Sequence, residues 1–304
     1  MRPLLERLAA GDVLVGDGAM GTMLLERGLP PGRPPESVTL SNPEALEEIA
    51  RLYLDAGADL LETNTFGGSP LKLALYGLEA ETEAVNREAV RAARRVAEGR
   101  AYVAASCGPC GRLLEPYGDA TADAVYGSFR WQIEVLVDAG ADCIFVETMT
   151  DLVEAQLAVR AAKSVSPRTP VVATMTFDRT PRGPYTIMGV SVAAAADGLE
   201  QAGADAVGSN CGTGIEDMIP IAREFRAASR LPLAIQPNAG LPRAVGGRTV
   251  YDETPASLAE RAKELAAIGV SIVGGCCGTT PAHIAALRAM VDGLPGGRRA
   301  SPRP

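Results

Sequence analysis

Asp55-Ala56-Gly57-Ala58-Asp59, Asp138-Ala139-Gly140-Ala141-Asp142 and Gln201-Ala202-Gly203-Ala204-Asp205 are near-copies of one phrase, each lying between a helical pattern and a short apolar run. A glycine just past a helix end takes the left-handed cap conformation, and a loop of a few residues then feeds a strand. Worked outward from these phrases, the chain repeats one unit: a run that is apolar on both faces, closed by Gly, Asn, Cys or a carboxylate, then a longer stretch of helical period. The runs fall at residues 13–20, 60–66, 102–109, 143–149, 171–177, 206–212, 233–240 and 272–278. The helical stretches fall at 43–56, 81–98, 121–139, 152–164, 193–202, 216–228, 254–268 and 281–291. Strands apolar on both faces are parallel strands covered by helices, and eight such units predict a single (β/α)8 TIM-type barrel over residues 1–292. Residues 30–35 read as a surface loop and 293–304, rich in Pro, Gly and Arg, as a disordered tail.

The 304 residues are 47% hydrophobic, enough for a large core, and carry a net charge of -8. An acidic chain without a basic patch argues against nucleic acid and anionic membrane as partners, which leaves small molecules. Arg2, Glu6, Arg7 and Asp12 interrupt the N-terminus, so no secretory apolar core is present there, and no run is long and apolar enough to span a membrane. A soluble, cytoplasmic protein is expected. Six cysteines are too sparse for a disulfide framework and, in a reducing compartment, point to metal or catalysis where they cluster.

In a TIM barrel the active site forms at the C-terminal strand ends. Those ends read Asp17-Gly18-Ala19-Met20-Gly21-Thr22, Glu62-Thr63-Asn64-Thr65-Phe66, Glu147-Thr148-Met149, Ser209-Asn210-Cys211-Gly212, Pro237-Asn238-Ala239-Gly240 and Gly274-Gly275-Cys276-Cys277-Gly278. Cys211, Cys276 and Cys277 therefore converge on one rim. A lone cysteine is more often a small buried hydrophobe, but three at strand ends, two of them adjacent and set in glycine, suit zinc with its fourth position open to a substrate. Adjacent residues on an ideal strand face opposite ways, so the glycines must bend that strand end for both thiolates to reach one ion.

These motifs, with Leu114-Glu115-Pro116 and Pro237-Asn238-Ala239-Gly240-Leu241-Pro242, make the chain resemble the homocysteine S-methyltransferases, and most closely the homocysteine-binding domain of cobalamin-dependent methionine synthase. The resemblance runs from about Gly16 to Ala286. It implies that zinc on Cys211, Cys276 and Cys277 takes the sulfur of homocysteine as its fourth ligand. A free thiol is mostly protonated at neutral pH, and coordination removes that proton while the anionic site keeps the sulfur nucleophilic. The resemblance also implies that Asp17 and Glu147 receive the substrate ammonium, with backbone amides near Gly18 and Ala19 facing its carboxylate. Asn238 would fill the fourth zinc position without substrate or orient a ligand. The bland alternatives are an acid capping a helix and an asparagine forming a turn. The methyl donor is expected to be methylcobalamin on a separate corrinoid protein, since the chain ends where the folate and cobalamin domains of methionine synthase would begin. S-methylmethionine- or betaine-dependent methylation of homocysteine, or a non-catalytic zinc and thiol-binding module, are the competing readings.

Three features stand outside that pattern. Gly16-Asp17-Gly18-Ala19-Met20-Gly21 matches the dinucleotide fingerprint G-x-G-x-x-G, which alone is weak and leaves the cysteines unexplained. Cys107-Gly108-Pro109-Cys110 stands where the family has Gly-Pro-Thr-Gly, and can be redox-active, compete for zinc or simply pack. Cys143 reads as core, and His283, the single histidine, lies in the last helix, away from the rim.

Overall fold

In the computed structural model, which describes residues 1–30, 32–246 and 248–294, the predicted alternation is present throughout. The barrel strands are β1 (Leu14–Val15), β2 (Leu60–Glu62), β3 (Tyr102–Cys107), β4 (Cys143–Met149), β5 (Val171–Met175), β6 (Ala206–Asn210), β7 (Leu233–Gln236) and β8 (Ile272–Val273). They hydrogen-bond in parallel, in the order β1-β8-β7-β6-β5-β4-β3-β2. The covering helices are α1 (Pro43–Asp55), α2 (Thr82–Ala97), α3 (Ala122–Asp138), α4 (Leu152–Val165), α5 (Val192–Ala202), α6 (Ile215–Ala228), α7 (Pro255–Ile268) and α8 (Pro281–Asp292).

The seam between β1 and β2 is closed by aspartates as well as backbone. Asp59 N–H donates to the Val15 carbonyl at 2.6 Å while its Oδ2 accepts the Val15 N–H at 2.9 Å, and higher up Asp17 Oδ2 accepts the Glu62 N–H at 2.9 Å. The repeated phrase explains the first of these contacts. Gly57, Gly140 and Gly203 turn the chain at φ of 103°, 98° and 103°, and the aspartate two residues on makes the same two-point clamp each time. Asp142 grips Val103 in this way and Asp205 grips Val171. The glycine was legible as a cap; the clamping role of the aspartate was not.

Side chains alternate along each strand. Leu14, Leu60, Ala104, Phe145, Val172, Ala206, Ala234 and Ile272 fill the lower interior, one from every strand, and the N-terminal helix Leu4–Ala9 plugs the bottom with Leu4 and Leu8. Val15, Leu61, Val103, Ile144, Ala173, Val207, Ile235 and Val273 pack outward against the helices.

The strands are shorter than expected at their upper ends, where the chain turns into loops that hold the site. Residue 20 is not strand but opens the helix Met20–Glu26, and the final strand stops at Val273, before the paired cysteines. Residues 30–35 are not purely a surface loop: Pro34 is buried, Pro35 reaches the central cavity, and the helix Glu36–Ser41 follows. Two short hairpins, Asp178–Thr180 with Gly183–Tyr185 and Arg243–Val245 with Arg248–Val250, had no clear sequence signal. Of the expected tail, residues 295–304 lie outside the described residues. Among the described residues no helix is long and apolar enough to cross a membrane.

Candidate active site

Continuing the inward alternation from the apolar layer gives Glu62, Ser106, Glu147, Thr174 and Gln236 after one step and, past Gly208, Asn210 after two, so the upper interior is polar. These residues bond to one another around and across the barrel. Gln236 Nε2 donates to Glu62 Oε1 at 2.6 Å, Asn210 Nδ2 donates to Glu147 Oε2 at 3.0 Å, Thr174 Oγ1 donates to Asn210 Oδ1 at 2.8 Å, and the Ser106 hydroxyl donates to Glu147 Oε1. Gly274 leaves room for the bridge, because a Cβ there would stand 3.1 Å from Gln236 Cγ.

Above this layer opens a cavity of about 210 Å³, lined among others by Gly18, Glu62, Glu147, Cys211, Cys276 and Cys277. The three cysteine sulfurs lie within 4.8 Å of one another, the only such group of three potential metal-ligating side chains among the described residues. Cys211 Sγ is 3.8 Å from Cys277 Sγ. Cys211 has φ of 60°, an uncommon conformation for a residue with a side chain, held by its N–H bond to the Gln236 carbonyl and by Thr213 N–H donating back to its own carbonyl. Cys276 and Cys277 lie in a turn, so strand alternation does not separate them. The Cys276 N–H donates to Pro237, and its carbonyl accepts both the N–H and the hydroxyl of Thr279.

Three sulfurs so close cannot ionise independently. Hydrogen bonds from Cys276 and Cys277 pull the Cys211 thiol down to about 3, while those two are held up, Cys277 to about 12, by the thiolate they face. Cys211 is thus the sulfur of the cluster that ionises most readily. Asn238 touches the Cys211 sulfur, and its buried Oδ1 has no partner among the described residues.

Glu62 and Glu147 line the cavity, and Asp17 stands behind them, accepting the Glu62 N–H. Burial pushes all three carboxyls up; for Asp17 and Glu147 the Glu62 charge pushes further, and Asp17 and Glu147 stand well above the usual carboxylate range. Asp17 Oδ1 and Gln236 Oε1 are buried without partners. Among the described residues, no lysine, arginine or histidine lines the cavity. Gly18 is tightly held, since a Cβ would stand 2.7 Å from Thr279 Oγ1 and 2.9 Å from Tyr53 Cε1, while the Ala19 N–H donates to Thr279 Oγ1 at 3.3 Å.

Of the residues singled out in the sequence, Gly18, Ala19, Glu147, Cys211, Cys276 and Cys277 line this cavity, while Asp17 and Asn238 stand just behind it, against the Glu62 N–H and the Cys211 sulfur. Glu62, Gln236, Ser106 and the bridging role of Asn210 were missed, although counting by two from the inward apolar positions identifies them. The cysteines outside the cluster are packing. Cys107 Sγ donates to Gln132 Oε1 at 3.3 Å and Cys110 Sγ to the Arg112 carbonyl at 3.6 Å; burial pushes both thiols up, Cys110 to about 12. Cys143 is in the core, and His283 completes the capping box of α8 with Thr280.

A family model described as homocysteine S-methyltransferase matches residues 14–291. The methionine synthase of Mycobacterium leprae is 37% identical over 307 residues, covering 95% of this chain and 25% of that protein, and that of Mycobacterium tuberculosis is 36% identical over 301 residues, covering 93% and 25%. The chain spans about a quarter of the length of these curated relatives. Among solved structures, the metallated form of the homocysteine methyltransferase MmuM from Escherichia coli superposes with a TM-score of 0.79 at 28% identity, covering 95% of this chain and 99% of that one.

Proposed function

Because the chain belongs to the homocysteine S-methyltransferase family, we propose that it transfers a methyl group to the sulfur of L-homocysteine, giving methionine, with zinc held by Cys211, Cys276 and Cys277. The observation that carries this reading is the convergence of three thiols with an acid-lined cavity that contains no cation. The donor set fits the metal. Three sulfurs meet at one point, Cys211 is lowered towards ionisation by its two neighbours, and Asn238, whose Oδ1 is unpartnered among the described residues, touches the Cys211 sulfur. A metallated relative supports the same assignment. Zinc bound there supplies a Lewis acid that ionises the substrate thiol and keeps it a nucleophile.

The protein's own groups do the rest. Asp17 and Glu147 receive the substrate ammonium, for which Asp17 Oδ1 is an unpartnered acceptor. The backbone at Gly18 and Ala19, which lines the cavity, faces its carboxylate, with the Ala19 N–H shared with Thr279 Oγ1. Asn210 ties Glu147 to Cys276, with Nδ2 lying 3.9 Å from the Cys276 sulfur, so the two ends of the site share one support. Asn238 positions Cys211.

The donor we assign is methylcobalamin carried by a separate corrinoid protein, because identity to the methionine synthases, 37% and 36%, exceeds the 28% to MmuM. A cytoplasmic location and a single domain over residues 1–292 complete the reading. The runner-up, S-methylmethionine or betaine as donor, is favoured by the superposition on MmuM, a homocysteine methyltransferase, at a TM-score of 0.79. Incubation of zinc-loaded protein and homocysteine with methylcobalamin, S-methylmethionine or betaine, followed by a methionine assay, decides between them. Methylcobalamin should support slow turnover that a corrinoid protein accelerates by orienting the encounter. Fast turnover on S-methylmethionine with none on methylcobalamin would select the runner-up, and zinc and homocysteine binding without turnover on any donor would leave a binding module.

A further inference from the structure

Glu62 has no part in the reading above, yet it stands at the centre of the acidic wall. Its carboxylate lies within hydrogen-bonding reach of Glu147, and it accepts from Gln236 on the far side of the barrel. Its own N–H is held by Asp17 Oδ2, so the three acids form one contiguous group. The groups facing them are Tyr53 from α1, Glu36 at the cavity wall, Cys143 below, and the sulfurs of Cys211, Cys276 and Cys277 above, all neutral or anionic. Two buried carboxylates in contact, with no cation in the cavity, cannot both be ionised, since like charges at that separation disfavour the second ionisation by several powers of ten.

Resting on the homocysteine reading, we infer that Glu62 is a third carboxylate of the amino-acid site, and that Glu62 and Glu147 hold one proton between them in the empty protein, releasing it when the substrate ammonium enters. The balance is simple. The empty site carries one carboxylic acid O–H; the incoming R–NH3⁺ keeps all its protons and donates hydrogen bonds to the carboxylates, and the acid proton leaves to solvent. The ammonium takes over the neutralising role of that proton. The proton lost by the substrate thiol is separate, so binding of homocysteine displaces about two protons near neutral pH, where a thiol alone displaces about one. The wall also sets specificity: three acids and no cation select an amino-acid thiol over a deaminated one.

The test is calorimetric titration of zinc-loaded protein in buffers of different ionisation enthalpy, using homocysteine and its deaminated analogue 4-sulfanylbutanoate. The inference expects about two protons released by homocysteine and about one by the analogue, which should bind at least tenfold more weakly, and about one by homocysteine in Glu62→Gln. Equal proton release by the two ligands overturns it, while measurable homocysteine affinity with thiol ionisation leaves the substrate reading intact. If homocysteine does not bind at all, the substrate reading itself fails. Independently of any ligand, the infrared spectrum of the empty protein should contain a carboxylic-acid carbonyl band that Glu62→Gln removes; an unchanged difference spectrum also overturns the inference. The comparison of the two ligands needs no variant, so a folding defect in Glu62→Gln would not rescue it.

Discussion

The two ends of this barrel both bury acids, and they treat them in opposite ways. At the bottom, buried Asp12 bonds Arg7 at 3.0 Å and Arg2 at 2.7 Å and buried Asp59 bonds Arg288 at 2.9 Å, while the half-buried Asp142 and Asp205 bond Arg94 at 2.9 Å and Lys163 at 2.6 Å. At the top, Asp17, Glu62 and Glu147 have no cationic partner among the described residues. A buried acid with its cation in the chain belongs to the fold, whereas a buried acid without one is held ready for something that arrives. The same residue type therefore serves architecture at one end and recognition at the other.

The largest effect that separates the two ends is metal loss. Cys211→Ser, Cys276→Ser and Cys277→Ser should each reduce zinc from about one per chain to near none and abolish methyl transfer, because a three-thiolate site cannot spare a ligand. The melting temperature should change little, since the lower core is independent of the cluster. Full zinc occupancy in all three variants would break the metal assignment.

The converse experiment acts at the bottom. Asp59→Ala strips Arg288 of one partner, weakens the Arg7 contact at 3.5 Å and removes an acceptor from the clamp on Val15. Breaking such a buried pair should cost about 3–5 kcal/mol in urea unfolding, while the folded fraction keeps its zinc and homocysteine affinity. A loss of affinity comparable to the loss of stability would show that the ends are not separable.

How much of this was legible in the sequence follows the same division. Barrel, helix order and the cysteine triad could be read because they rest on local signals: period, glycine punctuation, and residue types rare outside metal sites. The clamps of Asp59, Asp142 and Asp205 were invisible because nothing in the sequence states what an aspartate accepts from. Glu62 and Gln236 lie in a middle case. Their inward parity follows from Leu60 and Ala234, but their bond crosses from β2 to β7, and a contact across the barrel is fixed only once all eight strands close. The upper strand ends were read too long because the apolar character of residues such as Ala19 and Ala239 continues past the last ladder bond into loops that remain buried.

Within the upper end, Asp17→Asn and Glu147→Gln should weaken homocysteine about ten- to a hundredfold while leaving zinc in place, since a charge-assisted bond to an ammonium contributes about 1.5–3 kcal/mol. The deaminated thiol should be almost indifferent to both changes. Equal weakening of the two ligands would mean that the acids shape the cavity rather than bind the amine.

The smallest effect is the sharpest test of the uncompensated acids, because it needs no substrate. The carboxyls of Glu62 and Glu147 are raised above their ordinary value of 4.5, chiefly by burial, so the folded protein binds more protons than the unfolded chain above that pH. The stability they contribute is complete below 4.5 and is lost as pH rises through their folded-state values. The empty protein should therefore have a limb of stability that declines with rising pH toward neutrality, and Glu62→Gln, which removes one of the two competing charges, should flatten it. The gain at neutral pH should be on the order of 1 kcal/mol, read as the difference between wild type and variant in urea unfolding from pH 5.5 to 8. Taking that difference cancels the zinc site and the paired acids at the bottom, which are common to both proteins. Asp12→Asn, made at the compensated end, should show the contrary: lower stability with no flattening of the limb, because there the charge that is removed already had its partner.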